Sequence, residues 1–189
     1  SIAPFDSREL GWIGSLASDY YTCGFWTTKD VTLADFRGRK VVIGSTALSG
    51  GTYAGNMVMS HVLGLDTQNV AGYRTMGELV IAAEKGEVEG HCGVMAATLK
   101  STFWPAYQAG RLRIVAAAAL KPDPDLKDIP NAFELATTDE YRQLLTLLAG
   151  PWRYGRPIFA PPGSQPEAMA TLRAAFEATM RDEEFNREA

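Results

Sequence analysis

Cysteine and histidine are scarce in this chain of 189 residues, with two of each. The cysteines, Cys23 and Cys92, supply no framework of the kind that staples small disulfide-rich domains. An oxidising compartment would permit a bridge between them, but both read better as small buried hydrophobes. Cys23, His61, His91 and Cys92 are dispersed and lack metal-ligand spacing, so neither a metal nor a cofactor is expected. Positive charge is also short: 18 Lys and Arg stand against 22 Asp and Glu, a net charge of −4. No basic stripe can neutralise a phosphate backbone, which argues against nucleic acid as a partner. Apolar runs stay far below the ~18 residues a membrane-crossing helix needs. The longest, Ile114 to Leu120, has the length of a buried strand. The opening Ser1-Ile-Ala-Pro-Phe-Asp6 has no basic n-region and no apolar h-region, so no secretion signal is visible.

Catalytic signatures are missing as well. Ser49 lacks the glycine two positions before it that a nucleophile elbow requires, and neither a P-loop nor a G-x-G-x-x-G is found. His61 falls on the apolar stripe of a helix and is expected to be packed in the core. His91 and Cys92 are neighbours in a strand and point to opposite faces, so they do not form a nucleophile pair. Glu87 and Glu89 share a strand face and read as a solvated pair. Trp104, Tyr107, Trp152 and Tyr154 have no basic groove beside them and read as packing. An enzyme is not expected.

What is present is an alternation of strands and helices. Lys40 to Ser45 is a short apolar run of the kind found in buried parallel strands. Ala54, Met57, Val58, His61 and Val62 then recur at helical spacing and stop at Gly64. Val70 to Tyr73 predicts a strand, and Thr75-Met-Gly-Glu78 has capping-box spacing at the start of a helix. Glu87 to Cys92 and Ile114 to Leu120 predict two more strands. Tyr141, Leu144, Leu145 and Leu148 mark another helix. Ser164-Gln-Pro-Glu167 reads as a second capping box, opening a terminal helix with Met169, Leu172, Phe176 and Met180 on one side. The order predicts an α/β fold with a largely parallel sheet and helices on both faces. Trp12 to Leu16 and Tyr20 to Trp26 are further β-prone stretches.

In such sheets, ligands gather at the carboxyl ends of the strands. Three strand-to-helix turns are candidates: Ser45 to Tyr53, Tyr73 to Met76, and Cys92 to Met95. The first two lead into helix N-termini, whose free N–H groups and dipole favour an anion. Arg74 is a candidate fixed positive charge. Glycine-rich turns also occur simply to reverse a chain, and spacing alone leaves both readings open.

Several segments carry a resemblance beyond this pattern. Asp6 to Ser18, Val41-Val-Ile-Gly-Ser-Thr46, Val70-Ala-Gly-Tyr73, Ala82 to Gly90, Gly155 to Gly163 and Leu172 to Asp182 resemble, in order and spacing, the substrate-binding proteins of tripartite tricarboxylate transporters. The resemblance implies a type II periplasmic-binding-protein-like fold whose two lobes close over a small carboxylate and pass it to membrane transporter subunits. It implies a periplasmic location and a monomeric intact protein. It places Ser45, Thr46, Ser49, Gly50, Gly51 and Thr52 in the second-lobe anion loop, Tyr73, Arg74, Thr75 and Met76 in the next loop, and Cys92 and Gly93 in the third. Gly72-Tyr73-Arg74-Thr75 departs from the family's frequent Gly-Tyr-Pro-Gly, which puts ligand identity in question. The likeness also begins inside the family's sequence, so the chain reads as a second lobe (27–151) flanked by parts of a first lobe (1–26 and 152–189). A lobe without its partner strands is expected to self-associate through exposed apolar surface. Two rival readings are the effector module of a transcription regulator, which a helix-turn-helix would favour, and an α/β enzyme.

Overall fold

The computed structural model describes residues 6–121 and 123–188. They form two compact units, one from Asp19 to Pro151 and the other joining the chain up to Ser18 with the chain from Trp152 onward.

The larger unit is built on a five-stranded sheet. Its strands are β2 (Tyr21–Trp26), β3 (Lys40–Ser45), β4 (Asp66–Ala71), β5 (Gly90–Met95) and β6 (Leu112–Ala117), in the order β4-β3-β5-β2-β6. β3 pairs with β4 in parallel along its whole length and touches β5 in parallel at Ile43 and Gly90. β2 runs antiparallel between β5 and β6, so four of the five strands share one direction. The expected parallel-rich sheet is present, with one reversed strand that the sequence pattern did not place in it. That strand also moves the unit boundary. β2 belongs to the large unit because both its neighbours do, and the division falls after Ser18 rather than after Trp26.

Helices cover both faces. β3 alternates, with Val41, Ile43 and Ser45 buried toward α1 (Gly51–Val62) and Gly44 turned to Leu79 of α2 (Met76–Glu84). The α2 face carries a core of Leu79, Ala82, Val94, Leu99, Phe103 and Leu112. Leu99 and Phe103 come from the π-helical turn that joins α3 (Ala96–Thr98) to α4 (Trp104–Gln108). Gly64, at a φ of 69°, follows α1 as expected, where only glycine sits without strain. The capping box at Thr75 is half formed: Thr75 caps α2 by accepting from the Glu78 N–H, but the Glu78 carboxylate accepts from the Arg74 N–H instead of returning a bond to Thr75. α5 (Ala132–Leu135) and α6 (Asp139–Ala149) complete the unit, with Leu145 on the buried side of α6.

The smaller unit pairs β1 (Gly11–Ser15) antiparallel with β7 (Pro157–Ala160). α7 (Pro166–Arg181) buries Met169 against Gly11 and sets Phe176 over Gly14, and α8 (Glu183–Glu188) follows.

Several expectations are corrected here. β4 begins four residues early, through the polar Asp66-Thr-Gln-Asn69, because an edge strand needs no apolar run. β5 begins and ends three residues late, which leaves Glu89 before the strand. There its carboxylate accepts from the Val42 N–H and pairs with Arg39 at 2.6 Å, so it is not simply solvated. His61 is exposed, edge-on to Tyr141, and is not a core histidine. Ser164 forms no capping box; its hydroxyl donates back to the Pro161 carbonyl, and α7 has no side-chain cap. Cys23 and Cys92 are not free thiols but a disulfide joining the neighbouring strands β2 and β5.

Candidate functional site

The carboxyl end of β3 delivers the chain into the loop Thr46 to Gly50, which turns on a bond from the Gly50 N–H to the Ala47 carbonyl. Gly50 is the N-cap of α1, extended at φ −85° and ψ 156°, and has no side chain to satisfy the helix. The first amide bonded in the helical register is that of Ala54, to Gly50. The N–H groups of Gly51, Thr52 and Tyr53 are therefore left for an outside acceptor, at the positive end of the helix dipole. Beneath them Ser45 is wholly buried on the α1 face of β3, and its hydroxyl has no partner among the described residues. A buried hydroxyl without a bond is costly unless a ligand or solvent completes it. Thr46, Ser49 and Thr52 add hydroxyls beside the same amides, with no partner among the described residues. One turn thus gathers six of the residues singled out from sequence: Ser45, Thr46, Ser49, Gly50, Gly51 and Thr52.

The other two turns contribute differently. Gly72 ties β4 to this loop by donating to the carbonyls of Ser45 and Thr46. Beyond it, Tyr73 and Met76 pack on the α2-side core. Thr75 is occupied with capping α2. Arg74 has 87% of its side chain exposed and pairs with Glu78 at 3.0 Å, so its charge is spent locally in solvent. Cys92 and Gly93 do not form a turn, because β5 runs on to Met95. Cys92 is buried in the disulfide, and Gly93 lies under α1, where a β-carbon would overlap the Thr52 carbonyl oxygen. Both residues contact α1, Gly93 through its backbone packing and Cys92 through its N–H to Asn56.

Sequence reasoning missed the residue that positions the loop. Asn56, buried in α1, donates from Nδ2 to the Gly44 carbonyl at 2.8 Å and accepts at Oδ1 from the Cys92 N–H at 2.7 Å. A lone asparagine at helical spacing carries no signal of such a role. His91 lies on the opposite face of β5 from Cys92, as expected, with Trp26 and Phe103 around its ring. Burial pushes its pKa down to about 3, against a weaker opposing bond from Nδ1 to the Thr22 carbonyl, so it is neutral at ordinary pH. Among the described residues no group of three or more His, Cys, Asp or Glu could hold a metal.

No protein-family model and no curated protein matches this chain. Solved structures do. A TctC solute-binding protein from Polaromonas, without ligand, superposes with a TM-score of 0.70 at 14% identity, over 98% of this chain and 60% of its own. A protein of R. palustris with adipate gives 0.62 at 17% identity, over 97% and 59%. MatC of Rhodopseudomonas palustris with bound malate gives 0.56 at 18%, over 93% and 57%. The fold is that of the periplasmic solute-binding proteins, and the chain spans about 60% of the length of these structures.

Proposed function

We propose that this chain is the ligand-gripping part of an extracytoplasmic solute-binding protein that captures a small carboxylate. The observation that carries this reading is the uncapped N-terminus of α1 set over the buried, unpartnered Ser45 hydroxyl. Three amides, a helix dipole and adjacent hydroxyls match the acceptor-rich, negative carboxylate group. Two of the structures sharing the fold hold dicarboxylates, malate and adipate, which supports the same ligand class. No catalytic constellation accompanies the turn, so the role is capture and hand-over: lobe closure around the ligand, then delivery to a tripartite tricarboxylate-type transporter. A disulfide within the sheet suits an oxidising, periplasmic setting.

Calorimetry of the full-length protein against mono-, di- and tricarboxylates tests the reading, with a dicarboxylate expected to bind best. Gly51→Pro provides the matching variant. It deletes one N–H at the first helical position, where proline is tolerated, and the extended Gly50 before it suits a following proline. The fold is expected to survive and affinity to fall by about 1.5–3 kcal/mol, the worth of a hydrogen bond to a charged group. Binding of a sugar or a cation but of no carboxylate would sink the proposal, as would carboxylate binding that Gly51→Pro leaves unchanged.

A further inference from the structure

A cavity lies at the β6 edge of the same sheet. It has a volume of about 430 Å³ and opens at the carboxyl end of β6, beside the start of β2. The strand order separates it from the β3 turn by three strand spacings, roughly 14 Å. Its size suits a small organic molecule. Its walls are tied down by the protein itself: the Ala117 N–H donates to the Pro130 carbonyl at 3.0 Å, and Asn131 Nδ2 donates to the Ala119 carbonyl at 2.7 Å.

The lining divides into three chemistries. Ala117, Leu126 and Ile129 form an apolar floor. One wall holds Tyr20 and Asp123, and the Tyr20 hydroxyl donates its only proton to Asp123 Oδ2 at 2.6 Å. The Tyr20 oxygen is then left with lone pairs only, so this wall accepts hydrogen bonds and cannot donate one. Burial first, and then the bond to Asp123, push the Tyr20 pKa up and keep that proton in place. Burial would raise the Asp123 pKa, but the bonds from Tyr20 and Lys100 outweigh it and hold the carboxylate ionised. Around the mouth stand two cations, Lys121 and Lys127, and two anions, Asp128 and Glu134. All four are exposed and none has a partner among the described residues. Lys100 is shared between Asp123 at 2.9 Å and Asp125 at 2.7 Å, so one excess negative charge stays behind the acceptor wall, while the four rim charges balance one another.

We propose that this cavity binds a small zwitterion with a protonated primary amine, its ammonium group on the Tyr20 and Glu134 side, its carboxylate toward Lys121 and Lys127, and its apolar middle on the floor. A ligand of one charge leaves half of the rim unanswered, and a ligand without N–H donors leaves the acceptor wall unbonded. The site is separate from the carboxylate turn, and either assignment stands or falls without the other.

Calorimetry of the full chain carrying Gly51→Pro, which weakens the carboxylate turn, with 4-aminobutyrate, butyrate and butylamine tests it, since the three probes share a chain and differ in charge. 4-Aminobutyrate is expected to bind at least ten-fold more tightly than either singly charged probe. In that background Tyr20→Phe and Glu134→Gln are each expected to weaken it at least five-fold. Glu134 is exposed, so its substitution reads the site even if Tyr20→Phe disturbs folding. Three results in the Gly51→Pro chain would overturn the proposal: no binding of 4-aminobutyrate, equal binding of butyrate, or binding that Glu134→Gln leaves unchanged.

Discussion

Asn56 shows how one side chain can substitute for part of a sheet. β3 and β5 are registered in parallel only at Ile43 and Gly90, so further along the Gly44 carbonyl and the Cys92 N–H lack each other. Asn56 reaches from α1 between them, bonds both, and adds a 3.2 Å contact to Asn69 Oδ1 on β4. Buried backbone groups that lose their only partner cost about 1–3 kcal/mol each. Asn56→Leu keeps the volume and strips both bonds, so a loss of about 2–4 kcal/mol is expected from urea unfolding. A loss below about 1 kcal/mol would show that the strands can close on each other without the side chain.

The seating of α1 on β5 depends on having almost no side chain at the contact. A β-carbon on Gly55 of the helix would lie 2.8 Å from the Gly93 Cα and from the Tyr21 ring, and one on Gly93 would overlap the Thr52 carbonyl oxygen. The nearest atoms to Gly93 are backbone, which cannot rotate away. Gly93→Ala must push the first turn of α1 off the sheet, and overpacking of this kind costs about 1–3 kcal/mol. The same shift moves the amides of Gly51, Thr52 and Tyr53 away from Ser45. The variant is therefore expected to lose carboxylate affinity as well as thermal stability. Unaltered melting and binding would mean that the glycine is there for some other reason.

The smaller unit carries an uncovered apolar face. Trp12, Tyr154 and Phe159 form an edge-to-ring cluster with ring centres 5.2 and 5.4 Å apart, and all three are more than a third exposed, as are Ile158 and Leu172. The ribbon beneath them has only β1 and β7 among the described residues. Apolar patches with unpaired strand edges invite association. This 189-residue chain is expected to show concentration-dependent dimers or larger species by light scattering, and Phe159→Ser to shift it toward monomer. A monomer at high concentration in both would dispose of this expectation.

The alternation of short apolar runs with helical stripes was legible in the sequence, because burial imposes period and length on local residues. That was enough for the α/β class, for β3 with its boundaries, and for the turn after it, whose small residues leave the amides of α1 open. Thr75 as a cap was legible for the same reason, since its partner Glu78 lies within one turn. Other features depend on which distant segments meet. β2 reads as any β-prone stretch, and only its pairing with β5 and β6 puts it in the sheet, antiparallel, and closes Cys23 onto Cys92. Asn56 gains its role from a gap between strands that no local pattern encodes. Arg74 looked like a ligand charge until the fold left it in solvent beside Glu78. Gly93 looked like part of a turn until a helix was found lying on it. Local chemistry settles what a segment is able to form, whereas long-range packing decides which of its groups remain free to bind.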